Sequence, residues 1–482
     1  MNGNPLGQDP GMPPTPAPDD DVVDRLRAAL PGRVETDPAL LAPFTADRSG
    51  HRAAGVPLAV VHAASVEDVQ AACRIASAAG VPIVTRGAGT GLSGGAIAGD
   101  GEIVLSLTGM DRILEISADN RLAVVQPGIL NGRLNEVLAE HGLWWAPDPA
   151  SKDISTVGGN IAMNAGGLLC AKYGVTREAV LALKVVLADG TLLSVGHRTV
   201  KGVTGYDLCA LMIGSEGTLG VIVECTLKLQ PVDRGATVTL GAFFDSLEAA
   251  ASAASAVTRA GLVPAIMELM DQRTLEAVAA HTGQDLAGRG AYLLVQCDGA
   301  DAVQTADRVA DLARRAGGTV DVTTDPDEAD RLVALRRAAF PSLESLGTLL
   351  VEDIAVPRSR MAEAFAAVRA LEEKYGVAIP TTCHAGDGNL HPTFVYDGGA
   401  GEVPEAIWAA AGELFGTALE LGGTLSGEHG IGLLKRAWLR DELGDEQFEL
   451  QRRIKQVFDP AGLLNPGKVF PGPASPGTPP VG

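Results

Sequence analysis

The chain has few of the features that mark several large protein classes. Its six cysteines are scattered without a C-x-x-C pair, so neither a disulfide framework nor an iron–sulfur cluster is expected. A reducing, cytoplasmic compartment is the simplest location for such a protein. No run of about 18 apolar residues is present, so no transmembrane segment is expected. The first 20 residues contain no Lys or Arg and do not resemble a signal peptide.

Positive charge is also scarce. Lys and Arg total 38 against 59 Asp and Glu, a formal net charge of −21, so neither nucleic acid nor an anionic membrane is an expected partner. With 482 residues and 46% apolar content, the chain is long enough for two or three domains with substantial cores. The Pro- and Gly-rich ends, residues 1–19 and 471–482, are predicted to be disordered tails.

Glycine is abundant, and it is concentrated between Pro82 and Gly95. A short apolar run ends at Arg86, and the residues that follow are rich in small and hydroxyl side chains: Gly87, Ala88, Gly89, Thr90, Gly91, Ser93, Gly94 and Gly95. Because glycine has no Cβ and reaches positive φ easily, such a loop exposes successive backbone N–H groups to a ligand. A cradle of amides beside an arginine suits a pyrophosphate, and the alternative is a flexible loop.

Residues 89–94 of this stretch also fit G-x-G-x-x-G. The Rossmann motif requires a helix directly after its glycines. Here the residues up to Gly101 are followed by the strand-like run Ile103–Leu107, with no room for a helix. The sequence therefore favours an anion-binding loop between two strands.

The surrounding pattern predicts two mixed units. Residues 58–85 indicate a β-α-β unit whose helix runs from the N-cap Ser65 to the stop at Gly80. Further strands are predicted at 121–126, 179–187, 191–194 and 219–226, with a helix at 130–141. From about 235 to 380, strands alternate with Ala-rich helices, which indicates a separate α+β domain, and two helices follow near 404–420 and 440–457.

Three further glycine-rich segments lie in the first half: Pro147–Ser151, Thr156–Gly167 and Gly214–Gly220. Each could be a simple turn. Together with residues 86–95 they supply many backbone donors and hydroxyls with little bulk. A long, phosphate-bearing nucleotide cofactor requires such a lining, so the pattern predicts one.

The second half has a different signal. His384 and His391 stand at the two ends of a Gly-containing segment, and Glu428 precedes His429 in another. Two His and one Glu form a common ligand set for Zn²⁺ or a similar divalent ion. The alternative is that each imidazole only packs or hydrogen-bonds. Because the chain has only eight His, the placement of three in two short segments favours a metal site.

All these segments, in this order, resemble the vanillyl-alcohol oxidase/p-cresol methylhydroxylase (PCMH) superfamily. His384 to His391 and Ser426 to Gly432 resemble its 2-hydroxy-acid branch, which includes glycolate oxidase flavin subunits, D-lactate dehydrogenases and D-2-hydroxyglutarate dehydrogenases. The resemblance implies an α+β fold. It places a PCMH-type FAD-binding domain at 20–232 and an α+β substrate (cap) domain with a C-terminal helical segment at 233–470.

The resemblance also implies roles for individual residues. Arg86 to Gly91 would wrap the FAD pyrophosphate, and Asn465 would approach the flavin ring. Other cofactor-binding positions would be Gly94, Pro147, Asp148, Ser151, Gly158, Gly159, Asn164, Gly166, Glu216, Gly220 and Ile222. His384, His391 and Glu428 would bind the metal, zinc being the expected ion, His429 would be the catalytic base, and Arg336 would bind the substrate carboxylate.

The function implied is FAD-dependent oxidation of a small D-2-hydroxy acid, of the D-lactate or glycolate class, to the 2-keto acid. Two alternatives stay open, an electron-passing flavin subunit of a glycolate oxidase complex and a flavin-dependent transferase of the ether-lipid type. An electron acceptor that the sequence does not identify would reoxidise the flavin, and it could hold the protein peripherally at a membrane. A homodimer or partner subunits are also left open.

Three departures from the family pattern sharpen these expectations. The first glycine loop has Thr90 and no His, so FAD is expected to bind non-covalently. Val333 stands where a tryptophan is common before the substrate arginine. Val351 and Thr393 stand where members selective for 2-hydroxyglutarate carry polar or basic side chains, so a second substrate carboxylate is not expected.

Overall fold

A computed structural model describes residues 18–232, 235–398 and 403–471. Most of both predicted tails, residues 1–17 and 472–482, therefore lies outside the described residues. The first helix begins at Pro18, so residues 18 and 19, which were predicted as tail, are helical. Among the described helices, none combines the length and the apolar character that a membrane span requires.

The N-terminal unit contains two sheets and a short strand pair. Its helices are α1 (Pro18–Ala29), α2 (Pro38–Leu41), α3 (Val66–Ala79), α4 (Asn131–Ala139), α5 (Val157–Met163), α6 (Cys170–Tyr173) and α7 (Leu208–Met212). Its strands are β1 (Val34–Glu35), β2 (Ala59–His62), β3 (Ile83–Arg86), β4 (Ile103–Ser106), β5 (Ile113–Ser117), β6 (Leu122–Val125), β7 (Leu143–Trp144), β8 (Val180–Val186), β9 (Leu192–Gly196), β10 (Val221–Lys228) and β11 (Gln230–Pro231).

The four-stranded sheet has the order β1-β2-β4-β3, and the five-stranded sheet has the order β5-β6-β10-β8-β9. In the first sheet β2 and β3 both run parallel to β4, as a β-α-β unit requires. The helix of that unit is α3, which begins where the Ser65 hydroxyl accepts a bond from Asp68 N and ends at left-handed Gly80. Both boundaries were predicted. The chain between β3 and β4 contains no helix, which confirms the rejection of a Rossmann site.

The C-terminal unit is a large sheet covered by helices. Its helices are α8 (Leu247–Arg259), α9 (Gln272–Thr282), α10 (Ala302–Arg315), α11 (Pro326–Arg337), α12 (Ala339–Glu344), α13 (Met361–Tyr375), α14 (Glu405–Glu420) and α15 (Leu439–Phe458). Its strands are β12 (Ala236–Phe244), β13 (Ile266–Asp271), β14 (Ala291–Gly299), β15 (Thr319–Thr323), β16 (Thr348–Val351), β17 (Ile354–Ala355), β18 (Thr381–His384) and β19 (Asn389–Tyr396).

This sheet has the order β15-β12-β14-β13-β18-β19-β16, with β17 also paired to β19. Its neighbouring strands run antiparallel. One core cluster joins the inward residues of β12, β14 and β19 to small residues of α8, α10 and α14, such as Ala250, Ala306 and Ala410. Alanine at these helix positions lets the helix backbones approach the sheet closely. The central strands β13, β18 and β19 are therefore held rigidly, and they carry the site described below.

Candidate active site

Strand register brings the first two histidines together. In the β18–β19 hairpin, His391 lies opposite Thr382, and His384 is the last residue of β18. Both imidazoles are buried, and their ring centroids lie 5.0 Å apart. The next strand, β13, places Glu268 directly opposite His384. The hairpin thus brings the side chains of two histidines that are seven positions apart in the sequence next to each other on the sheet.

Glu428 completes the predicted metal-ligand set. Its Oε1 atom lies 3.3 Å from His384 Nε2 and 3.0 Å from His391 Nε2, and the three ligand atoms lie within 4.8 Å of one another. In a tetrahedral zinc site with bonds of about 2.0–2.1 Å, neighbouring ligand atoms are roughly 3.3 Å apart. The donor types and the spacing therefore fit a divalent metal.

The charged groups of this cluster strongly shift one another's pKa values. Burial by itself would raise the pKa of the Glu428 carboxyl, but hydrogen bonds from His384 and His391 outweigh burial and hold that pKa well below its usual range. Burial would lower the pKa of His384, but the carboxylates of Glu268 and Glu428 raise it well above the usual value. The carboxylates are thus strong acceptors that favour a cation between them.

Asp353 organises the segment that carries Glu428 and His429. Its Oδ2 atom accepts hydrogen bonds from the backbone N–H groups of both residues, at 3.1 and 2.9 Å, and from the Ser426 hydroxyl at 2.6 Å. Its Oδ1 atom accepts a bond from Asn389 Nδ2 at 2.5 Å. A fully buried carboxylate with four donors fixes the loop that presents the third ligand.

His429 lies beside this cluster without belonging to its ligand set. Its ring is stacked on that of His391, with centroids 5.1 Å apart. Its Nδ1 atom is buried and has no hydrogen-bond partner among the described residues. Burial lowers the pKa of His429 to about 4, partly opposed by Asp353, so the imidazole is neutral at pH 7.

Arg336 reaches the same site from α11. Its Nε–H donates to Glu268 Oε2 at 2.9 Å, and its side chain is 17% exposed. The adjacent Arg337 points to the surface, where its side chain is 70% exposed and lies 3.8 Å from Asp330. Of the two arginines in this turn, Arg336 is the one that faces the histidine cluster; its role in substrate binding stays a prediction.

The glycine segments of the N-terminal unit permit close backbone approach. A Cβ atom on Gly87 would lie 2.3 Å from the Thr156 hydroxyl, and one on Gly158 would lie 2.4 Å from Pro127 Cβ. A Cβ atom on Gly166 would lie 2.3 Å from Glu428 Oε2. This last contact joins the two predicted sites, because Gly166 is a predicted cofactor residue and Glu428 a predicted metal ligand.

Unpaired buried polar atoms lie in and directly before one glycine segment of the N-terminal unit and on Asn465 of the C-terminal unit, which bonds to Gly95 of the first glycine loop. Ser155 Oγ, Asn160 Nδ2 and Asn465 Oδ1 have no hydrogen-bond partner among the described residues. Such atoms are costly unless a ligand or water satisfies them. A cavity of about 340 Å³ lies in the N-terminal unit, between Ala88 and Thr156, and its other lining residues include Thr108, Ile129, Leu130 and Arg133. These residues fit a bound nucleotide cofactor.

Other predicted cofactor residues have structural contacts of their own. The Arg86 guanidinium donates to the carbonyl oxygens of Ala96 and Pro43, at 2.7 and 3.4 Å, so it holds the shape of the glycine loop. The Glu216 carboxylate accepts bonds from the N–H groups of Ile431 and Gly432 and thereby joins the two units. The Asn465 amide donates to the carbonyls of Gly95 and Glu216, which leaves its Oδ1 atom for a ligand.

The remaining predicted cofactor positions lie around the same loops. Asp148 accepts a bond from Leu169 N, and burial raises its pKa to about 7. Asn164 ends α5 in the left-handed conformation. Ala88, Gly89, Thr90, Gly91 and Gly94 lie in the loop after β3, Pro147 and Ser151 lie between β7 and α5, Gly159 lies in α5, and Gly220 and Ile222 lie at the start of β10.

Two residues of the site were missed by sequence reasoning, Glu268 and Asp353. Glu268 is a single acid within the apolar strand β13, and Asp353 follows β16 beside Glu352; both are essentially excluded from solvent. An acid at an apolar strand position is a signal that could have found Glu268, because a buried carboxylate needs partners.

A cleft lies between the two units. It has a volume of about 280 Å³ and is lined by Arg48 and Leu92 from the N-terminal unit and by Phe340, Leu349 and Val351 from the C-terminal unit. Val351 pairs with Thr393, two residues beyond His391. Val351 contributes apolar surface to the C-terminal wall, which also contains Glu344 and Thr348.

Comparison with known proteins agrees with both halves of this picture. Residues 57–196 match the family described as FAD binding domain, and residues 235–469 match that described as FAD linked oxidases, C-terminal domain. Glycolate oxidase subunit GlcD of Bacillus subtilis (strain 168) is 40% identical over 420 residues, covering 86% of this chain and 89% of that protein. D-lactate dehydrogenase of Archaeoglobus fulgidus is 38% identical over 443 residues, covering 91% and 95%.

A solved structure of p-cresol methylhydroxylase with substrate bound has a TM-score of 0.78 at 20% sequence identity, covering 94% of this chain and 97% of that one. At this identity the likeness concerns the fold alone. It confirms the predicted PCMH-type architecture, an FAD-binding unit followed by a mixed cap unit.

Proposed function

The chain belongs to the family of FAD-linked oxidases, and on that premise we propose that it oxidises a small D-2-hydroxy acid, of the D-lactate or glycolate class, to the 2-keto acid. The observation that carries the proposal is the contact between the predicted cofactor site and the predicted metal site. Gly166, from the glycine-rich cofactor segment, lies directly against Glu428 of the His384–His391–Glu428 cluster. A metal-bound substrate would therefore lie beside the flavin.

Named residues would hold each group. FAD would lie along the glycine segments, with Asn465 Oδ1 and the other unpaired polar atoms as hydrogen-bonding partners, and its attachment would be non-covalent. His384 Nε2, His391 Nε2 and a Glu428 carboxylate oxygen would hold a divalent metal, zinc being the ion that this ligand set favours. When bound, FAD supplies the acceptor for the C2 hydride, and the metal supplies a Lewis acid that lowers the pKa of a hydroxyl.

The chain itself binds the substrate, orients it and moves one proton. Arg336 would bind the substrate carboxylate with the guanidinium nitrogens that Glu268 does not occupy. His429 is neutral at pH 7, and its imidazole would take the proton of the substrate hydroxyl. Asp353 keeps His429 in place by accepting a hydrogen bond from the backbone N–H of His429.

The cleft supports a small substrate with one carboxylate. Phe340, Leu349 and Val351 present apolar surface on the C-terminal wall, where the Glu344 carboxylate also disfavours a second substrate carboxylate; Arg48 lines the N-terminal side. D-lactate and glycolate have a methyl group or a hydrogen at this position, which apolar surface accommodates.

The direct test is anaerobic mixing of the purified FAD-loaded protein with D-lactate, glycolate or D-2-hydroxyglutarate while the flavin absorbance near 450 nm is followed. We expect bleaching by D-lactate or glycolate and slower bleaching by D-2-hydroxyglutarate. Absence of bleaching with all three would contradict the proposal and favour a reaction without net redox change, such as ether-lipid-type transfer, or an electron-passing role.

Relatives named as glycolate oxidase subunits support a role within a larger complex. We propose that an electron acceptor, either a partner subunit or a membrane-associated carrier, reoxidises the flavin. A cytoplasmic location remains a prediction from the scattered cysteines. Size measurement in the presence and absence of candidate partner subunits would separate a complex from a homodimer.

A further inference from the structure

Glu268 lies where two functional side chains meet. It is in the middle of β13, flanked by the buried Met267 and Leu269, and its side chain is 1% exposed. A carboxylate in such surroundings is costly unless both oxygens are hydrogen-bonded. An apolar residue would suit the strand better if the position served only packing.

Each oxygen of Glu268 has one donor. Oε1 lies 2.6 Å from His384 Nδ1, and Oε2 lies 2.9 Å from Arg336 Nε. Because a carboxylate only accepts, Nδ1 of His384 must carry a proton; in the neutral imidazole that binds a metal, the lone pair is then on Nε2. Nε2 is the atom that faces Glu428 at 3.3 Å. Glu268 therefore selects the tautomer that a metal ligand needs.

We infer that Glu268 is a positioning residue that holds the metal ligand His384 and the substrate-binding Arg336 as one unit. The inference rests on the proposed function for the role of Arg336, but its link to metal binding does not need turnover. Glu268 would touch neither the metal nor the substrate, and it would act through the two side chains it joins.

The substitution Glu268→Gln tests this directly. Glutamine keeps the size but has one carbonyl oxygen and one NH₂ group. One of the two donors, His384 Nδ1–H or Arg336 Nε–H, would then face another donor. Replacing the outer partner of a metal-bound histidine weakens metal affinity by about 10- to 100-fold.

Glu372→Gln is the matched control. Glu372 lies in α13, its carboxylate accepts from Ile379 N at 2.7 Å, and it lies 2.7 Å from Arg273 Nε. It is thus another cap carboxylate with two donors, but it contacts neither His384 nor Arg336. We expect the zinc affinity of Glu372→Gln to stay within about twofold of that of the parent protein, because this substitution leaves the His384–His391–Glu428 cluster unchanged.

The measurement is calorimetric titration of Zn²⁺ into FAD-loaded protein that has been freed of metal by a chelator. Zinc dissociation constants of Glu268→Gln and Glu372→Gln that agree within twofold would overturn the inference. If Glu268→Gln does not fold, Glu268→Asp and Glu372→Asp are compared instead; aspartate keeps the charge but is too short to reach both donors. Equal zinc affinities of that pair would overturn the inference as well.

A second arm tests the link to Arg336. At saturating Zn²⁺, the KM for D-lactate should rise about two- to tenfold in Glu268→Gln, because an unanchored arginine must be ordered at each binding event. An unchanged KM would show that Glu268 does not position Arg336. Failure of the proposed function looks different: no hydroxy acid would bleach the flavin of the parent protein, while the zinc titration would still separate Glu268→Gln from its control.

Discussion

The two halves of the molecule prepare their ligand sites in opposite ways. The N-terminal unit uses backbone and absence of bulk: glycines at 87, 158 and 166 where a Cβ atom would collide, and polar atoms left unpaired. The C-terminal unit uses buried titratable side chains, each bonded to another, such as His384 between Glu268 and Glu428. The N-terminal unit thus has space for a large ligand, whereas the C-terminal unit has charged side chains that can bind small ones.

The difference has a physical reason. A dinucleotide is long and carries its own phosphates, so many amide donors and open space serve it better than a few strong charges. A metal ion and a hydroxy acid are small, so only short-range, oriented charges can select them. Side-chain deletion should therefore be most damaging in the cap, and side-chain addition most damaging in the FAD-binding unit.

The largest expected effect follows from His429. We expect His429→Ala to lower kcat by about 10²–10⁴-fold with a smaller change in KM, because a general base acts mainly in the transition state. FAD content should be unchanged, since the cofactor is held by the other unit. Steady-state kinetics with D-lactate and the ratio of FAD to protein test this. His281→Ala, at an exposed position near the end of α9, is the control; equal losses in both variants would contradict the assignment.

Metal loss should be the next largest effect. His384→Ala removes one of three ligands, so bound metal and most turnover should disappear while FAD stays bound. Metal analysis beside the flavin spectrum measures both in one sample. A His384→Ala protein with full metal content and activity would refute the ligand set. If FAD is lost together with the metal, the two halves are not independent, and the contact of Gly166 with Glu428 is the place where they are coupled.

The sequence predicted the first half more completely than the second. The glycine loop, the β-α-β unit and the caps at Ser65 and Gly80 are local features, because a backbone conformation is encoded by the residues that adopt it. Several short elements were missed, among them β5, α6, α7 and α5, the last of which lies within the glycine segment at 157–163. Its N-cap Thr156 is the signal that was overlooked.

In the second half, the sequence predicted the ligands but not what supports them. His384, His391 and Glu428 stand out because His is rare in this chain. Glu268 does not stand out, because its role depends on strand pairing between residues 116 positions apart. The alternation of strands and helices indicated the sheet but could not give the order β13-β18-β19, which long-range packing decides.

Arg336 and its neighbour Arg337 allow a buried and an exposed arginine of the cap to be compared. Arg336→Ala should raise KM by about one to two decades, because charge-assisted hydrogen bonds of this kind contribute about 1.5–3 kcal/mol. Arg336→Lys should recover little, since an ammonium group cannot reproduce the planar fork. Arg337→Ala is the neighbouring control, because its side chain is 70% exposed. If Arg337→Ala raised KM more than Arg336→Ala, the orientation of α11 would be contradicted.

Side-chain addition tests the other half. Gly87→Ala would place a Cβ atom 2.3 Å from the Thr156 hydroxyl, which already accepts the N-cap bond from Gly159 N. We expect weaker FAD binding and a stability loss of about 1–3 kcal/mol from overpacking. Gly416→Ala in α14 is the control, because a Cβ atom there meets no atom within 4 Å; it should be neutral or stabilising. Equal FAD affinity in both variants would contradict the cradle.

Cofactor attachment gives a qualitative test of the same cradle. The loop offers Thr90 and no histidine, so FAD should be held by non-covalent contacts and be released into the supernatant on acid precipitation. Colour that stays in the protein pellet would show a covalent bond. The cradle would then depend on a reactive side chain, and the contrast between the halves would be weaker.

The smallest expected effect concerns pH. Burial lowers the pKa of His429 to about 4, so the base form is almost fully populated at both pH 8 and pH 6. We therefore expect kcat, at saturating Zn²⁺ and D-lactate, to change by less than about 1.2-fold between these values. A histidine with an ordinary pKa of about 6.5 would be roughly one quarter neutral at pH 6, and kcat would fall about fourfold. A fourfold fall would show that the proposed base His429 titrates like an exposed histidine, which would contradict its burial in the cap. The pH profile of His429→Ala separates the two cases, because a fall caused by other groups would persist in that variant.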